Sequence, residues 1–319
     1  VNRILIIQTA FLGDVILATP VASELKRIYP DAEIDFVVKK GNESLLANHP
    51  AIHQVFVFDK QSGKRKSIRK LSATFRERKY DLAINLHRFG SSGLLLWRSR
   101  AKKKYGFKQH PLSFLFTKKF EHKIGDGTHE VERNLSLIHE FGAEKIVRPS
   151  LYPSAADLEK IKNCFAEEYY CMAPASVWFT KQLPKEKWVE LIQSKPGKLV
   201  YLLGAPGDKS LCDEILGMSQ SKTVVNLAGE LSLLQSAALM QKATRSYVND
   251  SGPLHLASAV NGNVTAFFCS TVPQFGFGPL SDNSEIKQVD KLDCRPCGLH
   301  GHKECPKGHF KCGLEMLVK

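Results

Sequence analysis

Apolar residues along the chain recur with two alternating periods. Arg3–Gln8 is an almost continuous apolar run, the pattern of a strand buried on both faces of a parallel sheet. Val15, Ile16, Ala18, Val21, Ala22 and Leu25 then fall at helical spacing up to Pro30, and Glu33–Val38 returns to strand. Val55–Phe58 and Leu82–Asn85 predict further strands, with a basic helix over Lys66–Arg78 between them. Ser91–Trp97 and Glu130–Phe141 predict helices, the second on the apolar positions Val131, Leu135, Ile138 and Phe141. The alternation then restarts. Strands are predicted at Tyr169–Ala173, Lys198–Leu203, Val224–Asn226, Ser246–Val248 and Val264–Phe268, and helices at Lys185–Gln193, Leu211–Met218 and Ser232–Gln241. Arg148–Ala155, with Pro149 and Pro153, is the expected crossing between the two series. The chain therefore predicts an α/β protein of two Rossmann-like domains facing across a cleft, over residues 1–153 and 154–319.

The stretch Ser246–Ala257 organises the second series. It reads as a strand end, a polar turn and a helix start, with Asp250 or Ser251 as cap, Gly252 in the turn and Pro253 at a first helical position. Such a start aims unpaired N–H groups and the positive dipole end at one spot, which suits an anion and most often a phosphate. An ordinary capped helix is the alternative.

Charge divides the two halves. Residues 1–153 carry 27 Lys/Arg against 15 Asp/Glu, whereas the remainder carries 18 against 17. Lys60–Lys108 alone holds 16 basic residues and two acidic ones, so the first half is expected to face an acidic partner: nucleic acid, anionic headgroups or an acidic glycan. No run of eighteen apolar residues occurs, and the first residues enter a strand without a signal-peptide pattern, so a cytoplasmic protein is expected. Of the eight cysteines, Cys164, Cys171, Cys212 and Cys269 read as small buried hydrophobes.

Three loops follow strand ends: Phe11-Leu-Gly13-Asp14, Thr180-Lys181-Gln-Leu-Pro184 and Asp250–His255. With the opening Ile-Leu-Ile-Ile-Gln-Thr-Ala-Phe-Leu-Gly-Asp-Val-Ile-Leu-Ala-Thr-Pro and with Asn-Asp-Ser-Gly-Pro-Leu-His-Leu-Ala, they resemble the heptosyltransferases of glycosyltransferase family nine over nearly the whole chain. Gln182-Leu183 departs from the family's usual Arg-Trp. The resemblance implies the GT-B fold, acceptor binding by the N-terminal domain and binding of ADP-heptose or another nucleotide sugar by the C-terminal one. It implies inverting transfer of heptose to the inner core of lipopolysaccharide, with Asp14 as general base; a helix cap is the other reading of that aspartate. Lys181 and the Ser251-Gly252 amides would stabilise the leaving diphosphate. Asp250 would cap the helix, orient the loop or reach a sugar hydroxyl, and His255 would contact phosphate or sugar. Ser176 is placed near the phosphates, Asp208 at the ribose hydroxyls and Leu231 against the base. Lys102, Lys103 and Lys104 are the expected acceptor-side charges, and peripheral contact with the cytoplasmic face of the inner membrane follows.

Near the C-terminus the pattern Cys294-x2-Cys297-x7-Cys305-x6-Cys312 has zinc-knuckle spacing in its first pair only. Reduced thiols packing a loop are the preferred reading and a structural zinc the other. No metal or cofactor is expected to be required for catalysis. A transferase of another nucleotide sugar is an alternative function. A basic nucleic-acid-binding protein is a second, although the aromatics of the basic half show no RNA-binding spacing.

Overall fold

The computed structural model describes residues 1–166 and 168–318. It divides into two units, one of Val1–Ile124 with Thr128–Tyr152 and the other of Gly125–Gly127 with Pro153–Lys319.

The strands of the first unit are β1 (Arg3–Ile7), β2 (Glu33–Lys39), β3 (Gln54–Phe58), β4 (Leu82–Asn85), β5 (Lys103–Phe107) and β6 (Lys118–Phe120). Its helices are α1 (Leu12–Ile16), α2 (Thr19–Ile28), α3 (Lys64–Arg78), α4 (Gly90–Arg98) and α5 (Glu130–Ser136). All strands pair in parallel in the order β3-β2-β1-β4-β5-β6, the doubly wound order that reverses once, between β1 and β4. Ile4–Ile7 are fully buried because helices cover both faces of a parallel sheet, which explains the unbroken apolar run. Strands β5 and β6 were not expected from the sequence. Their Lys103, Lys104, Lys118 and Lys119 break the apolar pattern, and sheet pairing beside β4 overrides it.

The second unit repeats the plan with β7 (Tyr169–Ala173), β8 (Leu199–Leu202), β9 (Val224–Asn226), β10 (Arg245–Asn249), β11 (Val264–Phe268) and β12 (Ser284–Gln288). Its helices are α6 (Ala155–Lys160), α7 (Lys185–Gln193), α8 (Lys209–Ser219), α9 (Leu233–Lys242), α10 (Gly252–Ala259) and α11 (Lys311–Leu314). The order β12-β11-β10-β7-β8-β9 is again parallel throughout, reversing between β7 and β10. Its core centres on Trp188, Met172, Leu202 and Phe267, and the tail joins it through Phe310, Cys312, Met316 and Val318. Trp188 is fully buried, and its indole N–H donates to Leu183 O at 3.1 Å, which satisfies the one polar atom it carries inward. The α/β class with two Rossmann-like units is that of GT-B proteins. Among the described residues no helix is long and apolar enough to cross a membrane.

The turn between α10 and β11 has no room for a side chain at Gly262, where an added Cβ would sit 2.5 Å from Met240 O. Backbone cannot yield as a flexible side chain would, so Gly262→Ala is expected to lower stability by about 1–3 kcal/mol. Unfolding in urea checks this, and an unchanged midpoint would show that the turn has slack.

Candidate active site

In a parallel sheet every strand ends at the same edge, so loops far apart in sequence meet there. In the first unit that edge carries Asp14 after β1, Lys39 at the end of β2, Lys60 after β3, and His87 and Arg88 after β4. Asp14 lies in the first turn of α1, whose cap position is Phe11, and the Phe11 N–H donates to Asp14 Oδ2 at 3.1 Å. The aspartate thus closes the helix start from the third helical position and is not itself the N-cap. Burial pushes its carboxyl up to about 6; Glu130 adds like charge, and the Phe11 amide and Arg88 act in the other direction.

Glu130 opens α5 and is buried with His122 and Arg133. It accepts from Arg133 Nε at 2.8 Å, and His122 Nε2 lies 3.1 Å from each of its oxygens. Burial disfavours its charge, but the His122 and Arg133 contacts prevail and hold it below the usual carboxylate range. Asn134, one turn further along α5, donates to Leu17 O at 3.1 Å and ties this helix to the end of α1. Across the strand reversal, Thr9 Oγ1 and His87 Nδ1 lie 2.8 Å apart and buried. Burial holds the His87 imidazole down at about 4, with repulsion from Lys60, His110, Arg88 and Lys39, so it is neutral near pH 7. Sequence reading missed Glu130, His122, Thr9 and His87. The signal available was their position just past strand ends or at a helix start.

Lys102, Lys103 and Lys104 are elsewhere. Lys103 begins β5 and pairs in register with Leu82, the first residue of β4, so the run lies at the amino edge of the sheet, opposite Asp14. Lys102 Nζ pairs with Asp81 Oδ1 at 2.8 Å, Lys103 stands over the Phe141 ring and Lys104 Nζ donates to Ala101 O. These contacts are structural, and the structure does not bring the three lysines to the candidate base. The remaining basic excess is also divided. Lys64, Arg65, Lys66, Arg69, Lys70 and Arg76 form the exposed face of α3, whereas Arg78 pairs inward with Glu33 and Asp35.

The carboxyl edge of the second unit gathers most of the remaining candidates. Lys181 Nζ and Asp250 Oδ2 form an ion pair at 2.7 Å, with side chains 16% and 7% exposed. Thr271 Oγ1 donates to the same Asp250 oxygen at 2.5 Å. Asp250 therefore does not cap α10, as one reading of the sequence had it. Ser251 holds the cap position in extended backbone without a side-chain capping bond, and Gly252 starts the helix with Pro253 following. His255 is buried one turn in. Asn249, which the sequence reading also missed, accepts from Leu183 N at 3.0 Å and donates to Pro174 O at 2.8 Å, binding both ends of the Lys181 loop to β10. Ser176 is half-buried on that loop, and its carbonyl accepts from Gln182 Nε2 at 2.6 Å. The glutamine that departs from the family's arginine thus closes the loop on itself.

Asp208 and Leu231 sit on neighbouring loops after β8 and β9. Gly229 N donates to Gly204 O at 2.9 Å, and a Cβ on Gly229 would meet Pro206 Cα at 2.9 Å, so the loops touch. Asp208 Oδ2 accepts from Ala205 N at 2.8 Å, an ordinary turn closure that leaves its second oxygen for other contacts, and Leu231 is half-buried. All eight cysteines are free thiols; Cys171, Cys212, Cys269 and Cys312 are buried, and Cys164 is half-buried, less than its reading as a core residue implied. Among the described residues no group of three or more His, Cys, Asp or Glu side chains is placed to hold a metal ion.

Residues 68–309 match the family model "Glycosyltransferase family 9 (heptosyltransferase)". The chain is 30% identical over 290 residues to lipopolysaccharide heptosyltransferase 3 of Escherichia coli K12, covering 85% of this chain and 83% of that one. It is 26% identical to lipooligosaccharide heptosyltransferase 2 of Haemophilus influenzae, over 89% of this chain and 88% of the relative. Among solved structures, E. coli ADP-heptose LPS heptosyltransferase II aligns with a TM-score of 0.80 at 23% identity, covering 92% of this chain and 95% of that one. An E. coli heptosyltransferase solved with ADP aligns at 0.73 and 22%, over 89% and 92%.

The environment of Asp14 can be tested without a substrate. Its carboxyl carbon, followed by NMR, is expected to titrate at about 6, and Glu130→Gln should move the midpoint down by removing the like charge. A wild-type midpoint near the ordinary aspartate value of about 3.9 would contradict the burial argument.

Proposed function

The chain belongs to glycosyltransferase family 9, and from that premise we propose that it transfers heptose from ADP-heptose to the inner core of lipopolysaccharide, with inversion at the anomeric carbon. The observation that carries the substrate class is its identity to a lipopolysaccharide heptosyltransferase along most of both chains. The similarity in fold to an ADP-heptose heptosyltransferase and to a heptosyltransferase solved with ADP supports the donor.

In this reading the acceptor binds the unit of Asp14 and the donor the unit of Lys181. Asp14 takes the proton from the acceptor hydroxyl while that oxygen bonds to the anomeric carbon. The bond from that carbon to the diphosphate breaks, and its electron pair leaves on the diphosphate oxygen. A base whose pKa lies near working pH suits the first step, and Asp14 titrating at about 6 has that property. Lys181 keeps two ammonium protons beyond the one aimed at Asp250, and the Ser251 and Gly252 amides stand at the positive end of α10, so both can meet the growing negative charge. Asp208 and Leu231, on touching loops, would take the ribose and the base, with Ser176 and His255 nearer the phosphates and sugar.

For the acceptor's carboxylates and phosphates the position of the charges favours Lys39, Lys60 and Arg88, which share Asp14's edge, over Lys102–Lys104. The exposed cations of α3 would add attraction to an anionic leaflet, about 1 kcal/mol each near the surface. This supports peripheral contact with the cytoplasmic face of the inner membrane.

Turnover of ADP-heptose with a heptose-deficient core acceptor tests the function directly. Asp14→Asn is expected to lower kcat by roughly 10²–10⁴ with donor affinity kept. Near-normal turnover in that variant would return Asp14 to helix closure alone. Neutralising Lys39, Lys60 and Arg88 together should raise acceptor KM and flatten its dependence on salt, whereas neutralising Lys102, Lys103 and Lys104 should leave both as in the wild type. The reverse ranking would restore the amino-edge lysines as the acceptor surface.

A further inference from the structure

The cysteine-rich tail is the one sequence motif that the proposed reaction leaves without a task. It does not lie loose on the surface. Phe310 joins the core of the second unit and its ring stands 5.0 Å from that of Phe179, at the start of the Phe179–Lys181 turn. Gly313 fits against Pro184 on the other side of the same turn, where an added Cβ would come within 3.0 Å of the proline ring.

Upstream of both anchors the tail touches the turn itself. Thr180 N donates to His302 O at 3.1 Å, and His302 N donates to Thr180 Oγ1 at 2.8 Å. The preceding Gly301 has φ +78°, and a Cβ there would lie 3.0 Å from Lys181 Cγ, 3.1 Å from Thr180 Oγ1 and 3.2 Å from Trp178 Cβ. A side chain at Gly301 would strain the backbone and crowd the Lys181 stem.

A second branch reaches Asp250. Arg295 donates from Nε to Cys269 O at 2.7 Å and to Thr271 O at 3.1 Å, and from Nη2 to Thr271 O at 2.6 Å. Its remaining bonds, to Val289 O and Gln288 Oε1, fix the guanidinium from behind. Thr271, held by its carbonyl, gives its hydroxyl to Asp250. Cys297 N donates to Ser270 O and Ser270 N to Thr180 O, at 3.0 and 3.2 Å, which joins the two branches. The polar contacts form a closed circuit: Arg295, Thr271, Asp250, Lys181, Thr180, His302 and back along the tail.

We propose that the tail from Arg295 to His302 is a positioning strap for the donor, which sets the Lys181–Asp250 pair at the spacing that a nucleotide's diphosphate requires. The strap touches no substrate. It acts through Thr180 on the lysine and through Thr271 on the aspartate. A carboxylate held in place by Thr271 keeps one ammonium proton and leaves the others directed outward; a carboxylate free to turn would draw the lysine back to itself. The inference rests on the reading of Lys181 as the diphosphate's cation.

Calorimetric binding of ADP and of adenosine to the full-length protein separates the outcomes. Gly301→Ala and Thr271→Val are each expected to weaken ADP binding by about tenfold, since misplacing a charge by an ångström costs up to roughly a hundredfold. Adenosine binding should be unchanged, and Thr271→Ser, which keeps the hydroxyl, should restore ADP binding. Thr271→Val changes one buried group within the volume of the native side chain, so it keeps the test open where Gly301→Ala fails to fold. Equal losses for ADP and adenosine would make the strap a general support of the unit and overturn the proposal. Wild-type ADP affinity in both variants, with Lys181→Ala weakened, would overturn it while sparing Lys181. Wild-type affinity in Lys181→Ala would remove the reading of Lys181 itself, and the strap's task with it.

Discussion

In each sheet the chain reverses its direction of winding once, and that single reversal decides where chemistry can be placed. Loops leaving two neighbouring strands on either side of a reversal turn away from each other and open a crevice that no helix fills. In the first unit these are the loops after β1 and β4, which carry Asp14 and His87. In the second they are the loops after β7 and β10, which carry Lys181 and Asp250. A short polar contact bridges each crevice, Thr9 to His87 in one and Lys181 to Asp250 in the other. The same rule sets Lys102–Lys104 at the opposite edge of the first sheet. A residue that begins a strand lies the whole strand's length from the edge where ligands bind, about 13 Å across the four steps of β5 at about 3.3 Å each.

An acid beside the cation of an anion site looks self-defeating until its desolvation is counted. Lys181 and Asp250 are both largely buried, and two charges taken from water recover the cost only with close contact and further hydrogen bonds. Asp250 has these: the ammonium at 2.7 Å and the Thr271 hydroxyl at 2.5 Å on one oxygen. Without the aspartate the lysine would be a buried unpaired cation, a state that costs about 3–5 kcal/mol and that swinging the lysine out would relieve. That movement would carry the positive charge away from the place proposed for the diphosphate. The pair holds the lysine in place, and the ammonium geometry leaves donors over.

Much of this was legible in the sequence because parallel sheets make strands as unbroken apolar runs. Ile4–Ile7, Leu82–Asn85 and Val264–Phe268 were read within a residue or two of their ends. Strands β5, β6 and β12 were not, since each is short or polar and owes its form to a neighbouring strand. The turn at Ser251–Pro253 was read as a helix start from residue types alone, and the structure places one there. The pairing of Asp250 with Lys181 could not be read in the same way, because 69 residues separate them and only the β7–β10 neighbour relation brings them together. The role of Arg295 was hidden for a related reason: its partners are backbone carbonyls, which have no side-chain signature. The lysine run misled because charge was counted along the chain, whereas sheet direction decides which charges share an edge.

Helix closure and the proposed role as general base place different demands on the one Asp14 carboxyl. The bond from the Phe11 N–H holds one carboxylate oxygen at the start of α1 and by itself would lower the pKa. Burial and the fixed negative charge of Glu130 raise it, and the balance falls at about 6. Had the closure bond prevailed, the aspartate would be a weak base; without that bond the carboxyl would lie higher and be free to turn. At about 6 it is roughly nine-tenths ionised at pH 7, yet some hundredfold more basic than an exposed aspartate. Glu130 can contribute only while it stays ionised, and His122 and Arg133 meet that condition through contacts that solvent does not reach. The Asp14 carboxyl is therefore tuned as much by a buried cluster at the start of α5 as by the loop that carries it, and the Asn134 bond to Leu17 O ties α5 to the end of α1.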